Sequence, residues 1–229
     1  MTDLIAKLYR QPILGRVFHT LVYCLQRELR DCETVLDIGC GPSSPVQYCQ
    51  NIKYSLGVEP FLPYLQETKK RKIHTEYTQK QAQELAFPKK SFDAVIMIEV
   101  LEHLPKKPGL ELLRKAEGWA RKKVVISTPN GYFPMNEVDQ NPWQEHQSGW
   151  TVKELIQLGF KCQGLAGLKF FWQAKNTIES MGGEGKDGLY ANVRFRPKKV
   201  FYVFNAFCQV ISYYFPQVSF ELFAVKRLK

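Results

Sequence analysis

The 229-residue chain predicts a doubly wound α/β fold, a mostly parallel sheet with helices on both faces. Three observations predict it. Short apolar runs alternate with helix-patterned stretches over residues 34–165, the alternation that parallel strands and crossover helices require. The first run, Val35-Leu36-Asp37-Ile38, ends in Gly39-Cys40-Gly41, a turn poor enough in side chains for a ligand to approach the backbone. The second run closes on Glu59, twenty residues after Gly39, the spacing at which a strand-end carboxylate reaches ribose hydroxyls in such folds.

The elements follow in order. Residues 3–30 read as one or two amphipathic helices interrupted near Pro12 and Gly15. Strands are expected at 34–38, 54–59, 73–78, 93–98 and 123–127, with helices at 44–51, 61–72 and 109–121. Thr151 with Glu154 forms a capping box that starts a helix over 151–158; Gly159 stops it, and 160–165 supplies a sixth strand. Residues 181–188 read as a flexible glycine-rich loop, followed by the basic cluster Arg194, Arg196, Lys198 and Lys199. From Val200 to Phe220 no residue is charged, a stretch of twenty-one that on length alone could cross a bilayer. A transmembrane span is rejected because Asn205, Gln209 and Ser212, at i, i+4 and i+7, place a polar stripe along one helical face. Two readings stand: a mostly buried helix, which leads, or a helix lying on a membrane and anchored by the basic cluster. Pro216 ends the helix, and 218–225 supplies an antiparallel last strand.

Length and composition, 45% hydrophobic and 24% charged, suit a single globular domain over 1–229. Its expected parts are a helical cap (1–33), a ligand-binding core (34–165) and an extension completing the sheet (166–229). A net charge of +10 admits an anionic partner, whether nucleic acid, a phosphorylated substrate or a membrane surface. The basic clusters at 69–72 and 121–123 fall at predicted helix ends, where the helix dipole accounts for them. Six cysteines with no C-x-x-C pair point to a reduced, cytoplasmic compartment. No signal peptide is expected, since Asp3, Lys7 and Arg10 punctuate the N-terminal apolar residues.

A dinucleotide site would want a third glycine where Ser44 stands, and Asp37 would repel its phosphates. A ligand with an ammonium group suits Asp37 better. The D-x-G-x-G pattern resembles motif I of the class I S-adenosylmethionine (SAM)-dependent methyltransferases of the type 11-like group. That resemblance implies a Rossmann-like, mostly parallel seven-stranded sheet with an antiparallel last strand. It also implies that Asp37, Gly39, Cys40, Gly41, Glu59, Pro60, Gln81, Ala82 and Glu99 bind SAM. Glu59 would take the ribose, and Gln81 and Ala82 the adenine, although an Asp is common in the family where Gln81 stands.

Strand four runs into Glu99-Val100-Leu101-Glu102-His103-Leu104. If helical after Glu99, positions 99, 102 and 103 share a face, and two carboxylates with an imidazole can chelate Mg²⁺ or Mn²⁺. His146, shortly before Trp150, could add a fourth ligand. The E-V-L-E-H segment resembles that of ubiquinone-biosynthesis O-methyltransferases. Together with Thr128-Pro129-Asn130 and the later histidine, it also resembles small-RNA 3′-terminal 2′-O-methyltransferases. The resemblance implies that Glu99, Glu102, His103 and His146 hold a metal that binds the acceptor. The same segment occurs in metal-free members, where Glu102 and His103 brace the helix start; His103 or His146 is then the candidate catalytic base. Residues 129–150, carrying Tyr132, Phe133, Trp143 and Trp150, form either an acceptor lid or satellite core. The expected function is O-methylation of a small or lipid-linked hydroxylated acceptor, with peripheral membrane contact left open. Metal-dependent RNA 2′-O-methylation and a non-catalytic SAM-binding relative are the alternatives.

Overall fold

A computed structural model describes residues 12–137, 139–174 and 191–228. The described residues contain nine strands: β1 (Thr34–Ile38), β2 (Tyr54–Val58), β3 (Glu76–Thr78), β4 (Phe92–Ile98), β5 (Ala120–Pro129), β6 (Lys161–Leu168), β7 (Trp172–Ala174), β8 (Ala191–Val193) and β9 (Ser219–Arg227). The helices are α1 (Pro12–Phe18), α2 (Leu21–Leu29), α3 (Leu62–Lys70), α4 (Lys106–Trp119), α5 (Val152–Gln157) and α6 (Lys198–Tyr214). The main sheet has seven strands in the order β3-β2-β1-β4-β5-β9-β6; β7 and β8 form a separate pair that the sequence did not indicate. Strands β1 to β5 pair in parallel, whereas β9 inserts antiparallel between β5 and β6. This is a Rossmann-like α/β fold, with the antiparallel last strand in the interior of the sheet.

The strand runs are apolar on both sides because each face is covered. Val35, Ala94, Ile96 and Val125 pack with Cys24, Leu25 and Leu29 of α2 on one face. Leu36, Val95, Met97 and Val124 pack with Leu112, Leu113 and Ala116 of α4 on the other. Trp150 is completely buried in that second core, and Phe133 lies in a small cluster with Trp172 and Phe220. Tyr132 and Trp143 remain exposed, so only Phe133 and Trp150 of these four aromatics are core residues.

Several boundaries differ from the sequence pattern for identifiable reasons. The helix expected over 44–51 is a single 3₁₀ turn, Pro45–Tyr48, because the Tyr48 carbonyl that a longer helix would use accepts Gln26 Nε2 at 2.7 Å. The strand expected from residue 73 starts only at Glu76, since His74 turns inward and its N–H donates to Tyr77 Oη. α4 begins at Lys106 rather than 109: Pro108 falls in the first turn, whose N–H groups are unpaired in any helix. α4 also ends at Trp119, so Arg121 and Lys123 are strand residues, not helix-end charges. They tie to Asp93 and to Asp31 instead. The Thr151–Glu154 capping box forms as read, with Thr151 N donating to Glu154 Oε2 at 2.9 Å. The loop at 181–188 and the helix expected before residue 12 lie outside the described residues.

The largest correction concerns α6. Its polar stripe faces the protein and its apolar stripe faces out, so the mostly buried reading does not hold. β6 is irregular between Leu165 and Leu168, with Ala166 and Gly167 at φ +58° and +72°. The backbone groups this frees are satisfied by α6 amides: Gly167 N donates to Gln209 Oε1 and Leu168 N to Asn205 Oδ1, both at 2.8 Å. In return Asn205 Nδ2 donates to Ala166 O and Gln209 Nε2 to Gly164 O. Buried backbone must be paired, and that requirement turns Asn205 and Gln209 inward. No helix among the described residues is long and apolar enough to cross a membrane. The contact is close enough that a Cβ on Gly164 would sit 2.1 Å from Ser212 O. Gly164→Ala is therefore expected to destabilise the protein by about 1–3 kcal/mol, read as a lowered urea midpoint.

Candidate active site

The glycine turn is built at the C-terminal end of β1. Gly39 and Gly41 sit at φ +69° and +55°, which glycine adopts without the Cβ penalty. Gly39 N and Cys40 N both donate to Val58 O, at 2.8 and 3.0 Å, fixing the turn to the end of β2. Asp37, buried beneath it, accepts a hydrogen bond from Ser44 Oγ and lies 3.3 Å from His74 Nε2. Glu59 accepts Gly41 N at 3.0 Å on one carboxylate oxygen and Phe61 N at 2.9 Å on the other. Burial pushes the Glu59 carboxyl above its usual range, against the pull of those two N–H donors.

A cleft of about 880 Å³ opens over this turn. Every site residue inferred from the sequence lines it: Asp37, Gly39, Cys40, Gly41, Glu59, Pro60, Gln81, Ala82, Glu99, Glu102, His103 and His146. Gln81 and Ala82 lie at the start of the 3₁₀ turn Ala82–Glu84, fixed by Gln81 N donating to Glu84 Oε2 at 2.8 Å.

The helix imagined after Glu99 is only the 3₁₀ turn Leu101–His103, and the difference redistributes the carboxylates. Glu99 takes a left-handed φ of +56°, which costs a non-glycine residue roughly 1–2 kcal/mol. Its carboxylate takes a 2.6 Å hydrogen bond with Ser127 Oγ, which also bonds Glu221 Oε1. Burial and the nearby Glu99 charge push the Glu221 carboxyl up to about 8.

Glu102, His103 and His146 converge without Glu99: each offers a ligand atom, and these lie within 4.8 Å of one another. Glu102 Oε2 accepts Thr128 Oγ1 at 2.8 Å, while the buried Oε1 has no hydrogen-bond partner. Burial and then Glu99 push this carboxyl well above its usual range. His103 Nδ1 lies 3.2 Å from Glu145 O and His146 Nδ1 2.6 Å from Phe133 O. A carbonyl can only accept, so both Nδ1 atoms carry the proton and both Nε2 atoms carry the lone pair. Desolvation and the neighbouring His146 hold His103 down to about 4, so its ring is neutral. This group fits a divalent cation: two imidazoles and a carboxylate, one of whose oxygens is buried and unsatisfied.

Residues 36–125 match a family model described as a methyltransferase domain. The chain carries a methyltransferase domain over these residues. Solved structures share its fold. The small RNA methyltransferase HEN1 is 15% identical with a TM-score of 0.55, covering 91% of this chain but 25% of its own. A SAM-dependent methyltransferase from Archaeoglobus fulgidus is 17% identical with a TM-score of 0.51, covering 94% and 98%. The PH0226 protein from Pyrococcus horikoshii is 14% identical with a TM-score of 0.52, covering 96% and 92%. No curated protein matches the sequence significantly.

Several residues of the methyltransferase site had no signal in the sequence. Ser44 and His74 brace Asp37 from a turn and from the approach to β3, and Glu221 arrives from the distant β9. The segment after β5 is fastened at several points. Gln147 N and Ser148 N donate to Glu102 O, Lys106 Nζ holds Gly149 O at 2.6 Å, and Tyr64 Oη donates to Asp139 Oδ2 at 2.7 Å. The last is an exposed tie between α3 and this connection. Tyr64→Phe removes only that hydroxyl and is expected to raise amide exchange in residues 139–146 about fivefold, the equivalent of one ordinary hydrogen bond.

Proposed function

We propose that this methyltransferase transfers the SAM methyl group to a hydroxyl oxygen of a small or lipid-linked acceptor. The observation that carries the reading is the Glu102–His103–His146 group, set in the same cleft as the glycine turn. Asp37, Gly39, Cys40 and Gly41 form the cradle for the methionine end. Glu59 and Pro60 stand where the ribose lies, and Gln81 and Ala82 where the adenine lies. The whole chain acts as one domain; the pairing of β9 between β5 and β6 supports counting 166–229 within it. Its six free thiols suit a reducing, cytoplasmic setting.

The sulfonium already activates the methyl, so the protein's task is alignment and exclusion of water. The acceptor oxygen attacks the methyl carbon in line as the carbon–sulfur bond breaks, leaving S-adenosylhomocysteine and a methyl ether. Glu102, His103 and His146 would hold a divalent cation, and without Glu99 the two nitrogen donors favour Mn²⁺ over Mg²⁺. When bound, such an ion lowers the pKa of the acceptor hydroxyl and aims its oxygen. Without an ion, the same Nε2 lone pairs are positioned to accept the hydroxyl proton. Trp143 and Met135 line the cleft from the lid side, where they exclude water. An RNA acceptor would bind with a steep salt dependence; a neutral or lipid-linked one would not.

Two measurements test this reading separately. Glu59→Ala is expected to weaken binding of S-adenosylhomocysteine at least tenfold, about 1.4 kcal/mol, by titration calorimetry. Unchanged affinity would remove Glu59 from the cofactor site. Mn²⁺ added to the protein is expected to lose its free-ion paramagnetic resonance signal. Glu102→Gln and His146→Ala should each weaken that binding by about tenfold or more while leaving S-adenosylhomocysteine binding intact. A full free-ion signal in the wild-type protein would sink the metal proposal alone.

A further inference from the structure

The outward face of α6 is the largest feature that the methyl-transfer site does not use. Val203, Phe204, Phe207, Val210, Ile211 and Tyr214 recur at helical spacing and all point to solvent. Val203, Phe207 and Ile211 are 60%, 62% and 56% exposed. Phe215 and Val218 continue the apolar surface beyond the helix, and Val17 of α1 extends it sideways, with Phe18 edge-on to Phe207 at 5.8 Å. A contiguous patch of this kind on a folded chain marks an interaction surface.

The polar side of α6 cannot rotate outward to shield it. Asn205 and Gln209 are committed to the irregular backbone of β6, and Ser212 is fully buried. The apolar stripe is therefore fixed against whatever lies outside.

The charges beside the patch identify what lies there. Arg194 and Arg196 are exposed just before the helix, with the Arg194 guanidinium 5.8 Å from the ring of Phe170, itself 63% exposed. Lys198 opens the helix, and no acidic residue occurs from 188 to 220. A second copy of the chain would bring this same acid-free segment to the contact and leave the arginines without partners. An anionic bilayer supplies both missing halves, phosphate headgroups for the arginines and acyl chains for the apolar stripe.

We propose that α6 docks the methyltransferase on an anionic lipid surface, lying in the plane of the interface with Val203, Phe207 and Ile211 inserted. This docking is independent of which acceptor the cleft takes. The full-length protein is expected to co-sediment with mixed phosphatidylcholine–phosphatidylglycerol vesicles and far less with phosphatidylcholine alone. Phe207→Glu with Ile211→Glu should reduce the bound fraction at least tenfold. Arg194→Ala and Arg196→Ala should each lower the partition coefficient about fivefold, an effect that disappears at high salt. Calorimetry with S-adenosylhomocysteine checks that each variant remains folded. Three results would overturn the proposal: no sedimentation of wild type with the mixed vesicles, equal sedimentation of the double glutamate variant, or a wild-type dimer in light scattering that this variant dissociates.

Discussion

Two backbone amides, those of Gly39 and Cys40, share the carbonyl of Val58, and the cleft depends on that clamp. It holds the end of β1 against the end of β2, which sets Glu59 within reach of Gly41 N. The turn is then gripped from both sides: Asp37 from below through Ser44, Glu59 from the flank. Val100 closes it above, its Cγ2 standing only 2.6 Å from where a Cβ on Gly39 would be. A side chain at position 39 would thus meet both a steric wall and an unfavourable φ.

The second half of the site comes from two parts of the chain. Glu102 and His103 sit on a short turn stitched to the end of β4, whereas His146 belongs to the long connection that covers the cleft. The Glu102 carbonyl, which accepts Gln147 N and Ser148 N, joins the two. The position of His146 is thereby tied to that of Glu102 and His103. Glu99, held in a left-handed conformation against Ser127, stands apart from that set.

How much of this was legible in the sequence depended on how local the cause was. The glycine turn, Glu59 at its fixed spacing and the Thr151 cap are each determined by residues close together in the chain, and they were readable. α4 starts three residues before the helix its pattern predicts, since a first turn tolerates Pro108. His74 and Glu221 were invisible because their partners are distant in the chain, whereas Ser44, only seven residues from Asp37, was read as a missing glycine and not as its hydrogen-bond donor. α6 shows the limit most clearly. Its periodicity revealed two faces, but the choice of which one turns inward was made by unpaired backbone of β6, some forty residues upstream.

The position of β9 sets an order of assembly. It lies between β5 and β6, yet residues 219–227 are synthesised after both strands they join. Until they arrive, β6 has no partner in the main sheet, and α6 has no completed edge on which to settle. The parallel half carrying the glycine turn can collapse while translation continues; the half bearing the outward apolar helix must wait.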